Sequence, residues 1–325
     1  MKACVLHAVN DLRYEEVPNP IRKAGEVLIR IRASGICGSD ISRVFEKGTY
    51  HFPTIPGHEF GGEIIEADDN ALIDKKCTVF PLVPCRKCPS CETGHYAQCE
   101  DYNYFGSRCD GGFAEFISVP LWNAVLAPDD LSFEEIALSE PCAVALHSLE
   151  QAVLKTGDRI CVFGAGPIGI MIGKWARLKG ASRISLIDID EDKTAFAKKL
   201  GFETELNGKY DIVVEGAGVS ASFEKALHAA RAFGTVVLMG NPIKEMTVSQ
   251  KGYWEILRKE LILKGTWNSS YNSNLNDWKT VLRFMKKLDL SCIVSHKFNF
   301  DKCDEAFRIM KERKEFFNKV MFVND

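Results

Sequence analysis

The sequence has no long apolar run. Its longest stretch without a charged residue, Ile160 to Gly173, is broken by glycines and a proline and falls short of the roughly 18 to 20 residues a membrane span needs. Nor does its start, MKACVLHAVNDLRYEE, build the apolar core of a secretion signal before charge intervenes. An excess of charge of either sign is also missing. The 41 basic and 44 acidic residues leave a net charge of −3, so there is no basic field of the kind that holds nucleic acid or an anionic membrane. Internal repeats, low-complexity tracts and flexible linkers do not occur. These absences exclude a membrane-spanning, disordered or broadly nucleic-acid-binding chain, and point to a soluble cytoplasmic protein whose partners are small molecules.

What is present is a chain of 325 residues, 46% apolar, long enough for roughly two domains with separate cores. Its first third reads as β-rich, with Glu26 to Ala33 (EVLIRIRA) and Gly61 to Glu66 (GGEIIE) at strand-like lengths between glycine, proline and charge. From about residue 148, strand and helix alternate. Arg159 to Phe163 (RICVF), Arg183 to Asp188 (RISLID), Asp211 to Val214 (DIVV), Thr235 to Met239 (TVVLM) and Leu261 to Lys264 (LILK) read as strands. Helical runs such as Ile168 to Lys179 and Ser222 to Ala232 lie between them, the beat of parallel βαβ units in a doubly wound sheet. From about Leu275 the helical runs Trp278 to Leu288 and Cys303 to Glu312 carry no further βαβ beat, and this tail is expected to return to the first domain. The expected boundaries are 1–147, 148–274 and 275–325.

Gly164, Gly166 and Gly169 form GxGxxG, with Pro167 and Ile168 inside it, directly after a strand and before a helix. In that setting the first glycine allows a tight turn, the second lets backbone approach a pyrophosphate, and the third permits close helix packing. The helix N-terminus offers N–H donors to the anion. Asp188 ends the next strand 19 residues beyond Gly169, where a carboxylate bonds the adenosine ribose hydroxyls and repels a 2′-phosphate, favouring NAD over NADP. Lys193 is a further candidate for the ribose edge, or else a solvated helix residue.

Four of the 12 cysteines, Cys85, Cys88, Cys91 and Cys99, are bunched as CxxCxxCx7C. In a reducing compartment bunched thiols are metal ligands more often than disulfides, and four thiolates close a tetrahedral zinc with no open position. An iron–sulfur cluster is the competing reading, but no redox-partner motif accompanies the four. Cys37 in GICGSD, His58 and Glu59 in PGHEF, and Glu140 in SEPCAVALH are scattered. Each alone has an ordinary reading, as a core cysteine, a surface pair or a helix-start carboxylate. A catalytic zinc needs about three protein ligands from such a set and one open position.

The order GICGSD, GHEF, four-cysteine lobe, DGGFAEF, EPCAVALH and GAGPIG resembles the polyol dehydrogenase branch of the zinc-dependent medium-chain dehydrogenase/reductase family, over nearly the whole chain. Within that branch RVFEKGTYHFP, PLVPCRKCPSC, GSRCDGGFAEF and ILRKELILKGTWNSSY look most like members that act on a phosphorylated polyol. The resemblance implies an α/β protein with a β-rich GroES-like catalytic domain and a Rossmann coenzyme domain. It further implies two zinc ions per chain, NAD as the hydride acceptor, and a homodimer or homotetramer. By similarity, Cys37, His58 and Glu59 hold the catalytic zinc, and Glu140 is a further ligand or the holder of the zinc's water. Ser39 is the hydroxyl that bonds the substrate alcohol and passes its proton outward, and Cys85, Cys88, Cys91 and Cys99 form the structural site.

Three departures from the branch stand out. Ser42 takes the place of a histidine found in many polyol dehydrogenases, Trp267-Asn268 stand where some sorbitol enzymes carry an arginine, and the connection from Glu203 to Asp211 is short by a helix. A phosphorylated substrate needs cations or N–H donors at the pocket mouth; the candidates are Arg43, Lys47 and Arg108, with His51 and Asn268 as polar neighbours. A dehydrogenase for an unphosphorylated polyol or secondary alcohol shares the zinc and NAD chemistry and differs only at that rim. A zinc-ribbon binding module is disfavoured, because only Arg86 and Lys87 are basic across Cys85 to Cys99. A zinc-free enone reductase of the same fold is disfavoured by Cys37 with His58.

Overall fold

The computed structural model describes residues 1–324. They fall into two compact units, one made of Met1–Pro141 with the residues from Ser270 onward, the other of Cys142–Ser269. Both borders lie a few residues ahead of the expected 147 and 274. The first border falls inside the opening turn of the Ser139–Ala152 helix, whose unbroken helical pattern hides it in the sequence.

The first unit is built on a seven-stranded sheet. Its central strand, Glu26–Gly35, pairs along one edge with Glu59–Glu66 and shares the other edge between Phe116–Pro120 and Lys319–Val323, all antiparallel. With both edges bonded, the strand carries an apolar run, and Val27, Ile29 and Ile31 are fully buried. Phe113 lies at the centre of the core, with Phe307 and Phe322 edge-on at 5.9 and 5.1 Å. The pairing sets Gly35 opposite both Glu59 and Met321, which brings three distant segments of chain to one end of the sheet.

The tail returns to this unit, but it does carry a βαβ beat, contrary to expectation. Val294–Phe298 runs parallel to Lys319–Val323, with the Cys303–Glu312 helix as the crossover. The strand sequence VSHKF gives no apolar run, because it is an edge strand with alternate residues facing solvent.

The second unit holds five parallel strands in the order Arg183–Ile187, Arg159–Phe163, Tyr210–Glu215, Ala230–Leu238 and Ile262–Gly265. The helices Pro167–Leu178, Glu191–Lys199, Ser220–Ala229 and Gln250–Lys259 fall between them in the chain, as a wound α/β sheet requires. No helix forms between Glu203 and Asp211, as the short connection implied, and beyond Arg183–Ile187 the sheet continues only as a single parallel bridge from Ser185 to Glu203. Buried Tyr210 closes that gap: its hydroxyl lies 2.9 Å from Ser185 Oγ and accepts from Asn207 N at 3.0 Å. Among the described residues no helix is long and apolar enough to cross a membrane.

Candidate active site

Cys37 follows the central strand and caps the short Gly38–Ser42 helix, while Glu59 opens the strand beside it and His58 immediately precedes that strand. Because Gly35 faces Glu59 across the ladder, the three side chains meet just beyond it: one ligand atom from each of Cys37, His58 and Glu59 lies within 4.8 Å of the other two. Gly35 makes the room, since a Cβ there would stand 2.4 Å from Glu59 Oε2. The donor set of one sulfur, one ring nitrogen and one carboxylate oxygen fits a zinc ion. Glu140 stands outside this converged trio and instead accepts a long hydrogen bond, 3.4 Å, from the Tyr104 hydroxyl.

The surrounding electrostatics favour a cation. Glu140 is pushed up to about 7, first by burial and then by the neighbouring charge of Glu59, with His58 and Lys319 opposing. Burial by itself lowers the His58 imidazole, but the Asp40 carboxylate and Cys37 outweigh it and raise it well above its usual value. Tyr104, raised by burial and by Glu140, keeps its proton and packs its ring edge-on to His58 at 5.7 Å.

Three residues that the sequence did not single out complete the pocket, and a fourth, already a candidate, takes a new part in it. Asp40, fully buried, accepts from Cys37 N at 3.0 Å and from Arg43 Nη1 at 2.9 Å, and lies 3.4 Å from His58 Nδ1. Lys319, 4% exposed, donates to Glu59 Oε2 at 2.6 Å and to Ile36 O at 3.2 Å, so one oxygen of Glu59 is committed to an ammonium. Tyr104 is the third. Arg43 was expected at the rim, yet its Nη1 also donates to Ser39 Oγ at 2.8 Å, on the inner side of the helix. A lysine directly ahead of the apolar run VMFV, and an aspartate two residues after the motif cysteine's glycine, are the sequence signals that could have found Lys319 and Asp40.

The remaining rim candidates separate. Arg108 has its guanidinium carbon over the rings of Tyr50, at 4.1 Å, and Tyr102, at 4.5 Å, and no carboxylate among the described residues pairs with it. His51 supports the same loop through Arg108 O and Pro53 O, both at 3.2 Å. Lys47 is exposed at the end of the turn that carries Arg43, and Ser42 turns outward to Glu46 at 2.9 Å. Asn268 belongs to the other unit, where it follows the edge strand at φ 53°.

The four-cysteine lobe is assembled for a second metal. All four sulfurs lie within 4.8 Å of one another, with Cys85 to Cys91 at 4.0 Å and Cys88 to Cys99 at 3.9 Å. Four sulfurs at the usual zinc bond length sit about 3.8 Å apart at tetrahedral vertices, so the cradle fits zinc and no disulfide. Backbone N–H groups of the lobe draw the Cys88 thiol down to about 6, toward the thiolate that binds metal. Arg86 lies over the Trp122 ring at 4.4 Å and Tyr96 meets that ring at 5.2 Å, which anchors the lobe to the unit's aromatic core.

In the second unit, Gly164 turns at φ +115° after the Arg159–Phe163 strand, and a Cβ on Gly169 would stand 1.9 Å from Gly164 O. Only glycine fits either place. Gly166 caps the Pro167–Leu178 helix without a side-chain bond, leaving the first N–H groups free for an anion, and Ile168 follows Pro167 in that first turn. Asp188 accepts from Ala165 N at 2.8 Å and from Asp190 N at 3.0 Å, which holds its carboxylate beside the glycine loop. Lys193 lies half-buried in the first turn of the Glu191–Lys199 helix.

Two family descriptions match this chain: the alcohol dehydrogenase GroES-like domain over residues 23–129 and the zinc-binding dehydrogenase over residues 167–287. Galactitol 1-phosphate 5-dehydrogenase of Escherichia coli K12 is 33% identical over 318 residues, covering 90% of this chain and 91% of that protein. Sorbitol dehydrogenase of Bacillus subtilis is 32% identical over 271 residues, covering 74% and 75%. The crystal structure of galactitol-1-phosphate dehydrogenase from Escherichia coli matches with a TM-score of 0.93 at 31% identity, over the full length of both chains.

Proposed function

We propose a reaction for this chain, which belongs to the zinc-binding medium-chain alcohol dehydrogenases: the NAD-linked oxidation of a phosphorylated polyol, galactitol 1-phosphate to tagatose 6-phosphate, and its reverse. The observation that carries the chemistry is the convergence of Cys37, His58 and Glu59 on one point. When bound, zinc supplies a Lewis acid for the alcohol oxygen and the nicotinamide supplies the hydride acceptor. Cys37, His58 and Glu59 hold the metal, and Glu140 adds a carboxylate directly or through water. Asp40 orients His58, and Lys319 fixes the Glu59 carboxylate by one oxygen. Ser39 takes the alcohol's proton on a lone pair, releases its own proton to solvent, and then donates to the oxygen that has lost its proton. Gly164, Gly166, Pro167, Ile168 and Gly169 cradle the pyrophosphate, Asp188 takes the ribose hydroxyls, and Lys193 borders them. The lobe cysteines hold the second zinc.

The stacked and otherwise unpaired Arg108 supports the phosphate. Its guanidinium lies over the rings of Tyr50 and Tyr102 and has no ion-pair partner among the described residues, which leaves its N–H donors for a phosphate oxygen pair. The zinc-loaded protein is expected to form NADH faster with galactitol 1-phosphate than with galactitol or sorbitol. Arg108→Ala should raise KM for the phosphorylated substrate roughly tenfold or more and leave KM for a free polyol unchanged. Faster turnover of a free polyol would overturn the phosphate reading and leave the dehydrogenase chemistry in place.

A homodimer also follows from this reading. The Ile262–Gly265 strand ends the second unit's sheet with all four residues exposed, and Ile262, Leu263 and Trp267 present apolar surface there. A second copy pairing antiparallel across a twofold axis covers that edge. Sedimentation is expected to give a dimer that Leu263→Lys weakens; a monomer at micromolar concentration would rule the interface out.

A further inference from the structure

We infer that Arg43 is a positioning residue for this reaction, one that fixes the Ser39 hydroxyl as a hydrogen-bond donor toward the substrate's reacting oxygen; the inference rests on the reading of Ser39 given above. The Arg43 Nη1 group donates to Ser39 Oγ at 2.8 Å and to Asp40 Oδ1 at 2.9 Å. A guanidinium has five donors and no acceptor, so it can only occupy a lone pair of the serine oxygen. The serine O–H is thereby turned away from Arg43. With a cation on its oxygen, the hydroxyl is a stronger donor, suited to an oxygen that carries negative charge once its proton has left and until hydride departs.

The same contact closes an exit. Arg43 cannot receive a proton, and Ser42 is bonded outward to Glu46 at 2.9 Å, so neither residue extends a proton path from Ser39 along this helix. Asp40 is occupied by Cys37 N, Arg43 and His58. Arg43 is therefore spent on the alcohol end of the substrate. This separates it from Arg108, whose guanidinium has no such partner.

The position of Arg43 four residues after Ser39 makes the contact possible. Residues at i and i+4 stack on one face of a helical turn, and the Gly38–Ser42 helix runs directly into the Arg43–Lys47 turn. The turn's Val44 is buried in the core, which holds the segment in place.

The test is a double-mutant cycle on the zinc-loaded protein, using Ser39→Ala, Arg43→Gln and the two together, with whichever alcohol the unmodified protein oxidises. Arg43→Gln is expected to lower kcat roughly 30-fold with KM changed less than about twofold, as loss of a hydrogen bond that strengthens on the charged oxygen does. In the Ser39→Ala background the same change should cost no more than about a further twofold, since the two residues act as one. Zinc content should stay at two ions per chain, and NADH binding, read by fluorescence, should be unchanged. Additive losses would overturn the inference. So would loss of one zinc, which places the effect in Asp40 and His58, or a KM rise confined to phosphorylated substrates, which makes Arg43 a phosphate ligand. A Ser39→Ala variant with unchanged kcat would remove the reading of Ser39 and the inference with it, a result distinct from additivity.

Discussion

Cys37→Ser is expected to lower turnover by roughly 1000-fold or more, since Lewis-acid stabilisation of a developing alkoxide is worth several kcal/mol. The zinc count should fall from two per chain to one, because the lobe sulfurs form a separate cradle that does not include Cys37. The fold should survive. Cys37 is only half-buried at the cap of a five-residue helix, and serine is nearly isosteric there. Metal analysis, circular dichroism and NADH formation on one preparation decide the matter. A variant that keeps both ions and its rate would show that the converged trio is not the catalytic metal site.

Lys319→Met should produce the largest change in stability. Glu59 and Lys319 form an ion pair with both partners almost wholly out of water, at 1% and 4% exposure. Removing one partner strands the other charge, which costs roughly 3 to 5 kcal/mol. This penalty belongs to the metal-free protein. Zinc brings a second cation to the same carboxylate, so the zinc-loaded variant is expected to lose only about 1 kcal/mol, and its affinity for the catalytic zinc should rise by linkage. Urea unfolding of the two forms measures both values. Equal destabilisation with and without zinc would mean that Lys319 and the metal do not share Glu59.

Much of this was legible in the sequence wherever a function is carried by neighbours in the chain. The glycine loop and Asp188 are recognisable because strand, turn, helix and next strand follow in order, and their hydrogen bond from Ala165 N to Asp188 joins adjacent pieces of one βαβ unit. The cysteine lobe was legible for the same reason. Lys319, Tyr104 and the true partners of Arg43 were not. Lys319 reaches Glu59 only because Lys319–Val323 shares an edge with the central strand, a register no local pattern encodes. Arg43 resembles a solvated charge until the helical turn places it over Ser39. The missed strand, Val294–Phe298, failed for a different reason: an edge strand can alternate polar residues and still pair.

The first unit is discontinuous in sequence, with the intervening residues, Cys142–Ser269, folded around a sheet of their own. During synthesis the second unit is therefore complete and free to fold while the first still lacks the strand that delivers Lys319. The nascent chain thus gains a dinucleotide fold before it gains a finished metal pocket, and until then Glu59 has neither its ammonium nor a closed sheet to hold it. The central strand waits meanwhile with part of one edge unpaired, the interval in which a chaperone or a misplaced strand from another chain has its best access.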